Sequence, residues 1–134
     1  LLEAGLTYYD RWRGQEDIKD LAQSLEDYDK AVYELMANDK VGGSTPQETL
    51  NLFIEAVEAG DYEMASRYFV VDKQEKWAED LSMAENVEDL LSYLKESMSS
   101  PGSYSSDRKT FSVHDPILVS FTLYPSGNWK IEEI

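Results

Sequence analysis

The chain has 134 residues, of which 42% are hydrophobic and 12% aromatic, and this is enough apolar surface for the core of one domain. Its 12 basic and 27 acidic residues give a net charge of −15, which disfavours nucleic acid and anionic membranes as partners. The absence of cysteine excludes disulfides, thiolate chemistry and cysteine-bound metals, and no apolar run approaches the ~18 residues of a membrane span.

Residues 1–40 predict an N-terminal helical arm. Apolar residues recur there at alternating steps of three and four, which places them along one side of a helix from Gln15 to Asn38. This stripe consists of Ile18, Leu21, Leu25, Tyr28, Val32 and Leu35. The steps match a coiled-coil seam, but ~2.5 heptads is shorter than the three or four that indicate a coiled coil. Packing of the stripe against the rest of the domain is therefore the favoured interpretation.

A shorter amphipathic segment precedes this helix. Its apolar residues are Leu2, Leu6, Tyr9 and Trp12. The segment is predicted to end near Gly14, where the backbone reverses at little cost, so that the two helices could form a hairpin.

A linker with paired glycines, Gly42 and Gly43, separates the arm from the next helix. That helix has a clear start, because Thr45 is a good N-cap, Pro46 suits the first helical position, and Glu48 can reach back to the Thr45 amide.

Further capping residues divide the segment up to Met98. Gly60 predicts the end of the first helix, and Asp61 predicts the start of a shorter one. Asp72 and Glu75 have the spacing of a capping box, and Asn86 predicts the cap of a last helix. The stretch from Ser99 to Ser106 is rich in turn-forming residues and predicts a flexible connection.

The apolar period then changes from 3.6 to 2, which predicts strands. The residues that alternate are Phe111 and Val113, then Ile117, Val119, Phe121 and Leu123, then Trp129 and Ile131. Pairing Leu123 with Trp129 on one face requires a three-residue hairpin loop, Pro125 to Gly127, with Gly127 in the left-handed conformation. In this register Lys130 is expected on the exposed face.

The predicted fold class is α+β, with four to five helices followed by a small antiparallel sheet of about three strands that ends in a β-hairpin. The predicted organisation is a helical arm over residues 1–40 and an α+β domain over 45–134. In that domain, helices occupy 45–98 and strands 108–134. We expect the arm and the domain to form one compact unit.

Candidate catalytic groups are few. His114 is the only histidine, and its neighbour Asp115 would point to the opposite face of a strand, so the two do not predict an acid–base pair. Two carboxylate clusters lack the glycine and the closing glutamate of a calcium loop, and solvated helix surface explains them better. These clusters are Glu26, Asp27 and Asp29, and Glu79 with Asp80. The sequence therefore predicts no catalytic, cofactor-binding or metal-binding residue.

Two segments resemble a known family. The segment from Thr45 to Phe69 is a capped helix, a Gly-Asp pair and a second helix, and it resembles the opening of small bacterial lipoprotein and membrane-anchored domains of the nuclear transport factor two-like (cystatin-like) superfamily. The segment from Gly127 to Ile134 is similar to the last strand of that group. The resemblance implies helices packed into the concave face of a curved sheet, and a cone-shaped pocket used by some members for catalysis and by many for binding alone. No catalytic residue carries over, because the matching positions are structural.

The leading hypothesis is a non-enzymatic binding or accessory domain with a pocket between the helices and the hairpin. The residues predicted to line this pocket are Trp77, Phe111, Phe121 and Trp129. The expected partner is an unknown small ligand or a protein, with no cofactor. Because the chain begins at Leu1 and because of the resemblance, we expect a bacterial, extracytoplasmic domain whose anchor lies outside this chain.

Two alternatives stay open. One is a helical interaction or oligomerisation module that uses the stripe from Ile18 to Leu35. The other is a carboxylate-based enzyme with a cone-shaped pocket, for which no residue pattern gives positive support.

Overall fold

The computed structural model describes the backbone of residues 2–134 and the side chains of residues 17–134. Five helices precede one four-stranded antiparallel sheet, which confirms the predicted α+β class. The helices are α1 (Leu2–Asn38), α2 (Pro46–Glu58), α3 (Tyr62–Ser66), α4 (Gln74–Met83) and α5 (Val87–Ser99). The strands are β1 (Ser103–Tyr104), β2 (Thr110–Val113), β3 (Val119–Leu123) and β4 (Trp129–Glu133).

The chain divides into two compact units, residues 1–35 and residues 36–134. The first unit is most of α1, a single helix of 37 residues that continues through Gly14. The predicted end at Gly14, and with it the helical hairpin, is therefore wrong. One glycine inside a helix costs only about 1 kcal/mol, which is too little to stop a helix of this length. The predicted upstream stripe of Leu2, Leu6, Tyr9 and Trp12 lies outside the residues whose side chains are described.

The start of α2 confirms the sequence prediction. The Thr45 hydroxyl accepts a hydrogen bond from the Glu48 amide at 3.1 Å, and Pro46 occupies the first helical position. The Glu48 carboxylate accepts instead from the Ser44 hydroxyl, at 2.9 Å, rather than reaching back to the Thr45 amide. After α2, Gly60 has a φ of +74°, the left-handed conformation expected of it.

The remaining helix starts were predicted with mixed success. The Asp61 carboxylate caps α3 by accepting from the Met64 amide at 3.1 Å, as expected. Asn86 precedes α5 as predicted, but its side chain makes no capping hydrogen bond. The capping box at Asp72 is wrong, because Val71–Lys73 forms a 3-10 turn and α4 begins only at Gln74.

The four strands form a simple meander in the order β1-β2-β3-β4. The predicted hairpin register is confirmed, with Leu123 opposite Trp129 and Gly127 in the left-handed region at a φ of +88°. Strand β1, which pairs Tyr104 with Phe111, was missed because its two residues lie in the stretch predicted to be flexible. Two residues carry too little periodicity to be recognised as a strand.

The core of the second unit lies between the helices and one face of the sheet. Helix α2 contributes Leu50, Phe53, Ile54 and Val57, each at most 3% exposed. The facing strand residues are Phe111, Val113, Val119, Phe121, Trp129 and Ile131. Helix α2 packs against β4, α3 and α5. The apolar residues of these elements therefore form one cluster.

The outer edge of β4 is closed by loop backbone rather than by another strand. The Ile131 amide donates to the Tyr68 carbonyl at 2.8 Å, and the Ile131 carbonyl accepts from the Val70 amide at 3.0 Å. Nearer the start of β4, the Trp129 amide donates to the Gly43 carbonyl at 2.9 Å. These bonds pair groups that an open sheet edge would offer to another chain.

Candidate functional site

Three of the four residues predicted to line a pocket lie together on the helix-facing side of the sheet. The Phe111 and Phe121 rings, 6.1 Å apart between centroids, border a cavity of about 30 Å³ between the sheet, α2 and α5. Trp129 is 6% exposed and meets Tyr104 edge-on at 6.0 Å. A cavity of this size holds about one water molecule, so these aromatic side chains fill the space between helices and hairpin.

The fourth predicted residue, Trp77, lies elsewhere. Its ring stacks on Phe69 with 4.4 Å between centroids and an angle of 14° between planes. Phe69 in turn meets Phe53 edge-on at 5.3 Å. Trp77 therefore covers the packing of α4 on α2 and α3, and it is not among the residues that border the cavity at Phe111 and Phe121.

A larger depression lies at the far end of α2. It is an open cleft of about 710 Å³ between the end of α2, α3 and the start of α5. Glu58 and Lys95 form a salt bridge of 2.9 Å at this cleft, and Tyr62 and Leu91 supply its apolar part. None of the four predicted pocket residues lines it.

The residues considered for acid–base or metal chemistry do not come together. His114 and Asp115 are both exposed, beyond the end of β2. Over residues 17–134, no three carboxylate or imidazole side chains lie close enough to hold a metal ion. In the same residues, every buried side-chain nitrogen and oxygen has a hydrogen-bond partner.

The most unusual charged group is Lys130 on β4, whose side chain is completely buried although its strand position suggested exposure. Its ammonium lies 2.9 Å from the Asp39 carboxylate and donates to the Val41 carbonyl at 2.8 Å and to the Arg67 carbonyl. Burial lowers the pKa of Lys130, and the Asp39 carboxylate opposes that shift. This ammonium therefore ties the segments after α1 and after α3 to the outer face of the sheet.

Tyr124 lies beside this ammonium, with Lys130 Nζ 5.7 Å from the centre of its ring. The Tyr124 hydroxyl accepts a hydrogen bond from the Val71 amide at 2.9 Å. Burial, together with the nearby carboxylates of Asp39 and Asp72, raises the pKa of Tyr124 to about 12. The polar groups of Lys130 and Tyr124 are therefore held by partners within the protein, which indicates a structural network.

Among residues 17–134, the largest group of exposed apolar side chains lies on α1. Ile18, Leu21, Leu25, Tyr28 and Leu35 are each between 56% and 67% exposed, and Val32 is half-buried. We call these six residues the α1 stripe. Packing of this stripe against the rest of the domain, which the sequence analysis favoured, stays a prediction. Contiguous exposed apolar rows are characteristic of the surfaces at which proteins interact.

The α1 stripe has the geometry of a coiled-coil seam. Ile18, Leu25 and Val32 occupy the first apolar position of successive heptads, and Leu21, Tyr28 and Leu35 occupy the second. The positions that flank this seam are Asp17, Ala22, Ser24, Asp29, Ala31 and Met36. Four of the six are uncharged and none is basic, whereas the remaining positions from Lys19 to Glu34 are charged or polar except for the aromatic Tyr33.

No protein-family model, no curated protein and no solved structure matches this chain. Over the residues that the structure describes, no helix combines the length and the apolar composition needed to cross a membrane.

Proposed function

We propose that this chain is a non-enzymatic interaction module that self-associates through the α1 stripe and thereby brings together copies of its α+β unit. The observation that carries the proposal is the exposure, between 56% and 67%, of five large apolar side chains in heptad register on one helix. Burying a large apolar side chain contributes about 1.5–3 kcal/mol, so covering a row of them supplies a driving force for association.

The flank of the stripe has few charges that would attract a basic partner, since Asp17 and Asp29 are its only acidic residues. A basic helix would be recognised by acidic residues at the flanking positions, which set partner choice in coiled coils. In a chain with a net charge of −15, Ala22, Ser24 and Ala31 instead leave much of this flank neutral. A flank with only two charges limits the direct repulsion between two acidic copies at the seam.

The test is sedimentation velocity of the wild type and two variants over a range of concentrations. Leu25→Glu places a charge in the middle of the stripe, and we expect it to shift the chain to the monomer. Gln23→Glu adds the same charge on the polar face and should leave association unchanged. Both variants should keep the helical circular dichroism and the unfolding midpoint of the second unit. Wild type that sediments as a monomer at every concentration would contradict the proposal.

The small-ligand pocket that led the sequence analysis receives less support. The space bordered by Phe111 and Phe121 amounts to about 30 Å³, far below the ~300 Å³ of a small ligand site. Membership in the nuclear transport factor two-like superfamily and an anchored, extracytoplasmic location stay predictions. An anchored location fits the proposal, since a membrane would concentrate a weakly associating helix.

A further inference from the structure

Three features of the chain bear on how two copies of α1 would be oriented. The first is the position of Tyr28 within the stripe. In a parallel pair, each seam residue meets its own counterpart, so two Tyr28 side chains share one layer and both hydroxyls must be accommodated there. In an antiparallel pair, Tyr28 of each copy meets Leu25 of the other. Ile18 then meets Leu35, and Leu21 meets Val32, so that every layer joins two different apolar side chains.

The second feature is the charge of the α+β unit. Residues 1–35 carry 4 basic and 9 acidic groups, a net −5, which leaves −10 of the total −15 on residues 36–134. The chain enters this unit from the C-terminal end of α1. A parallel pair would place two such ends side by side. An antiparallel pair separates them by the length of the stripe, roughly 27 Å for 18 helical residues, which is about three Debye lengths at physiological salt.

The third feature is that the flanking residues contain no pair that would enforce a parallel orientation. Parallel coiled coils are aligned by opposite charges at these positions, and here all charged flanking groups are acidic. In the antiparallel arrangement Asp29 lies nearest Ala22 of the other copy, and Asp17 lies nearest Asn38. The helix dipoles also attract each other when the helices run in opposite directions.

We propose that two copies of this chain pair through their α1 stripes as an antiparallel two-stranded coiled coil, with their α+β units at opposite ends. The inference rests on the proposed self-association and adds its stoichiometry and orientation.

The absence of native cysteine makes a direct test possible. Ile18→Cys and Leu35→Cys are prepared separately and treated with a short thiol-specific cross-linker, each alone and as an equal mixture. Gln23→Cys and Lys30→Cys, on the polar face of α1, are the matched controls. The expected result is a cross-linked dimer that forms at least tenfold more in the Ile18→Cys and Leu35→Cys mixture than in either variant alone or in the controls.

The other outcomes separate the two proposals. Efficient cross-linking of each variant with itself, but no gain on mixing, indicates a parallel pair and overturns this inference while self-association stands. Cross-linked trimers or tetramers overturn the two-stranded stoichiometry in the same way. Cross-linking no higher than in the controls, together with a monomer in sedimentation, overturns both the orientation and the proposed self-association.

Discussion

The ammonium of Lys130 is held by one carboxylate and two carbonyl groups, without access to water. Such a group adds little net stability compared with an apolar residue of the same shape, but removing one partner leaves a buried charge uncompensated. Asp39, which follows directly after α1, is therefore more important for the second unit than the many exposed acidic residues of the chain.

Replacing Asp39 tests this network. Asp39→Asn should reduce the free energy of unfolding by about 3 kcal/mol, because the Lys130 charge stays buried without its counter-charge. Asp20→Asn, an exposed carboxylate on α1, should change it by less than about 0.5 kcal/mol. Adding Lys130→Met to Asp39→Asn should recover most of the loss, since neither charge then remains. Urea denaturation measures all three, and an equal effect of Asp39→Asn and Asp20→Asn would contradict the account.

Tyr124 gives a prediction about alkaline pH. Its folded pKa of about 12 lies above the ordinary value of 10, so native Tyr124 keeps its proton where the unfolded chain loses it. Its contribution to stability is therefore complete below pH 10 and is lost as the pH rises towards about 12. Tyr124→Phe should lower stability at pH 7 by about 1 kcal/mol, because the Val71 amide loses its acceptor. Between pH 10 and 12 the variant should then lose stability less steeply than the wild type in denaturation experiments; parallel slopes would contradict this assignment.

At the scale of elements, the loop between α1 and α2 is fixed by its close contact with β4. Gly42 has a φ of +142°, and a Cβ atom there would overlap the Trp129 carbonyl oxygen, which belongs to the backbone and cannot move aside. Gly60 is also left-handed, but a Cβ atom at Gly60 would meet open space. Gly42 differs from Gly60 in its φ, which lies further from the left-handed values that L residues adopt, and in its lack of steric room.

This contrast predicts unequal effects of the same substitution. Gly60→Ala should cost about 1 kcal/mol, the ordinary penalty of a left-handed alanine. Gly42→Ala should cost at least twice as much, because the loop must also withdraw from β4. Thermal unfolding of the two variants measures the difference. Equal shifts in unfolding temperature would show that the loop does not lie against β4 as described.

The elements that could be predicted from sequence are those fixed by local chemistry. The start of α2 was predicted because Thr45 and Pro46 are residues typical of a helix N-terminus. The hairpin register was predicted because Gly127 and the alternation of apolar residues around it allow only one pairing that keeps the apolar side chains on one face. No local sequence pattern predicted the burial of Lys130, because the alternation of residues along β4 only assigns its side chain to the outer face of the sheet. Whether that face is covered depends on segments 63 or more residues away, at Asp39, Val41 and Arg67, and no sequence pattern joined them to β4.

The α1 stripe was recognised in the sequence, which left two uses open: packing within its own domain and pairing with a partner helix. Periodicity identifies an apolar face and says nothing of what covers it, because a face packed inside its own domain and one that meets a second molecule have the same spacing. The exposure of the stripe side chains is the observation on which the proposed association rests. Phe111, Phe121 and Trp129 lie in the core between the helices and the sheet, and the small volume left beside Phe111 and Phe121 could not be read from the sequence.

At the scale of the whole molecule, self-association must overcome repulsion between two chains of net charge −15. Salt screens this repulsion and does not weaken apolar contacts, so association should become tighter as the ionic strength rises. Sedimentation equilibrium at low and high sodium chloride measures the change in dissociation constant. Weaker association at high salt would mean that charge pairs hold the complex, contrary to the neutral flank of the stripe.

The central claim, that the α1 stripe is covered by a second copy, is tested most directly by hydrogen exchange as a function of protein concentration. Amides of α1 between Ile18 and Leu35 should exchange more slowly as the concentration rises, because association protects a helix that has its apolar face in water. Amides of β3 and β4 serve as the internal control, since their bonds lie within one copy. If the exchange rates of the α1 amides stay the same at all concentrations, and those of β3 and β4 are also unchanged, the claim is contradicted.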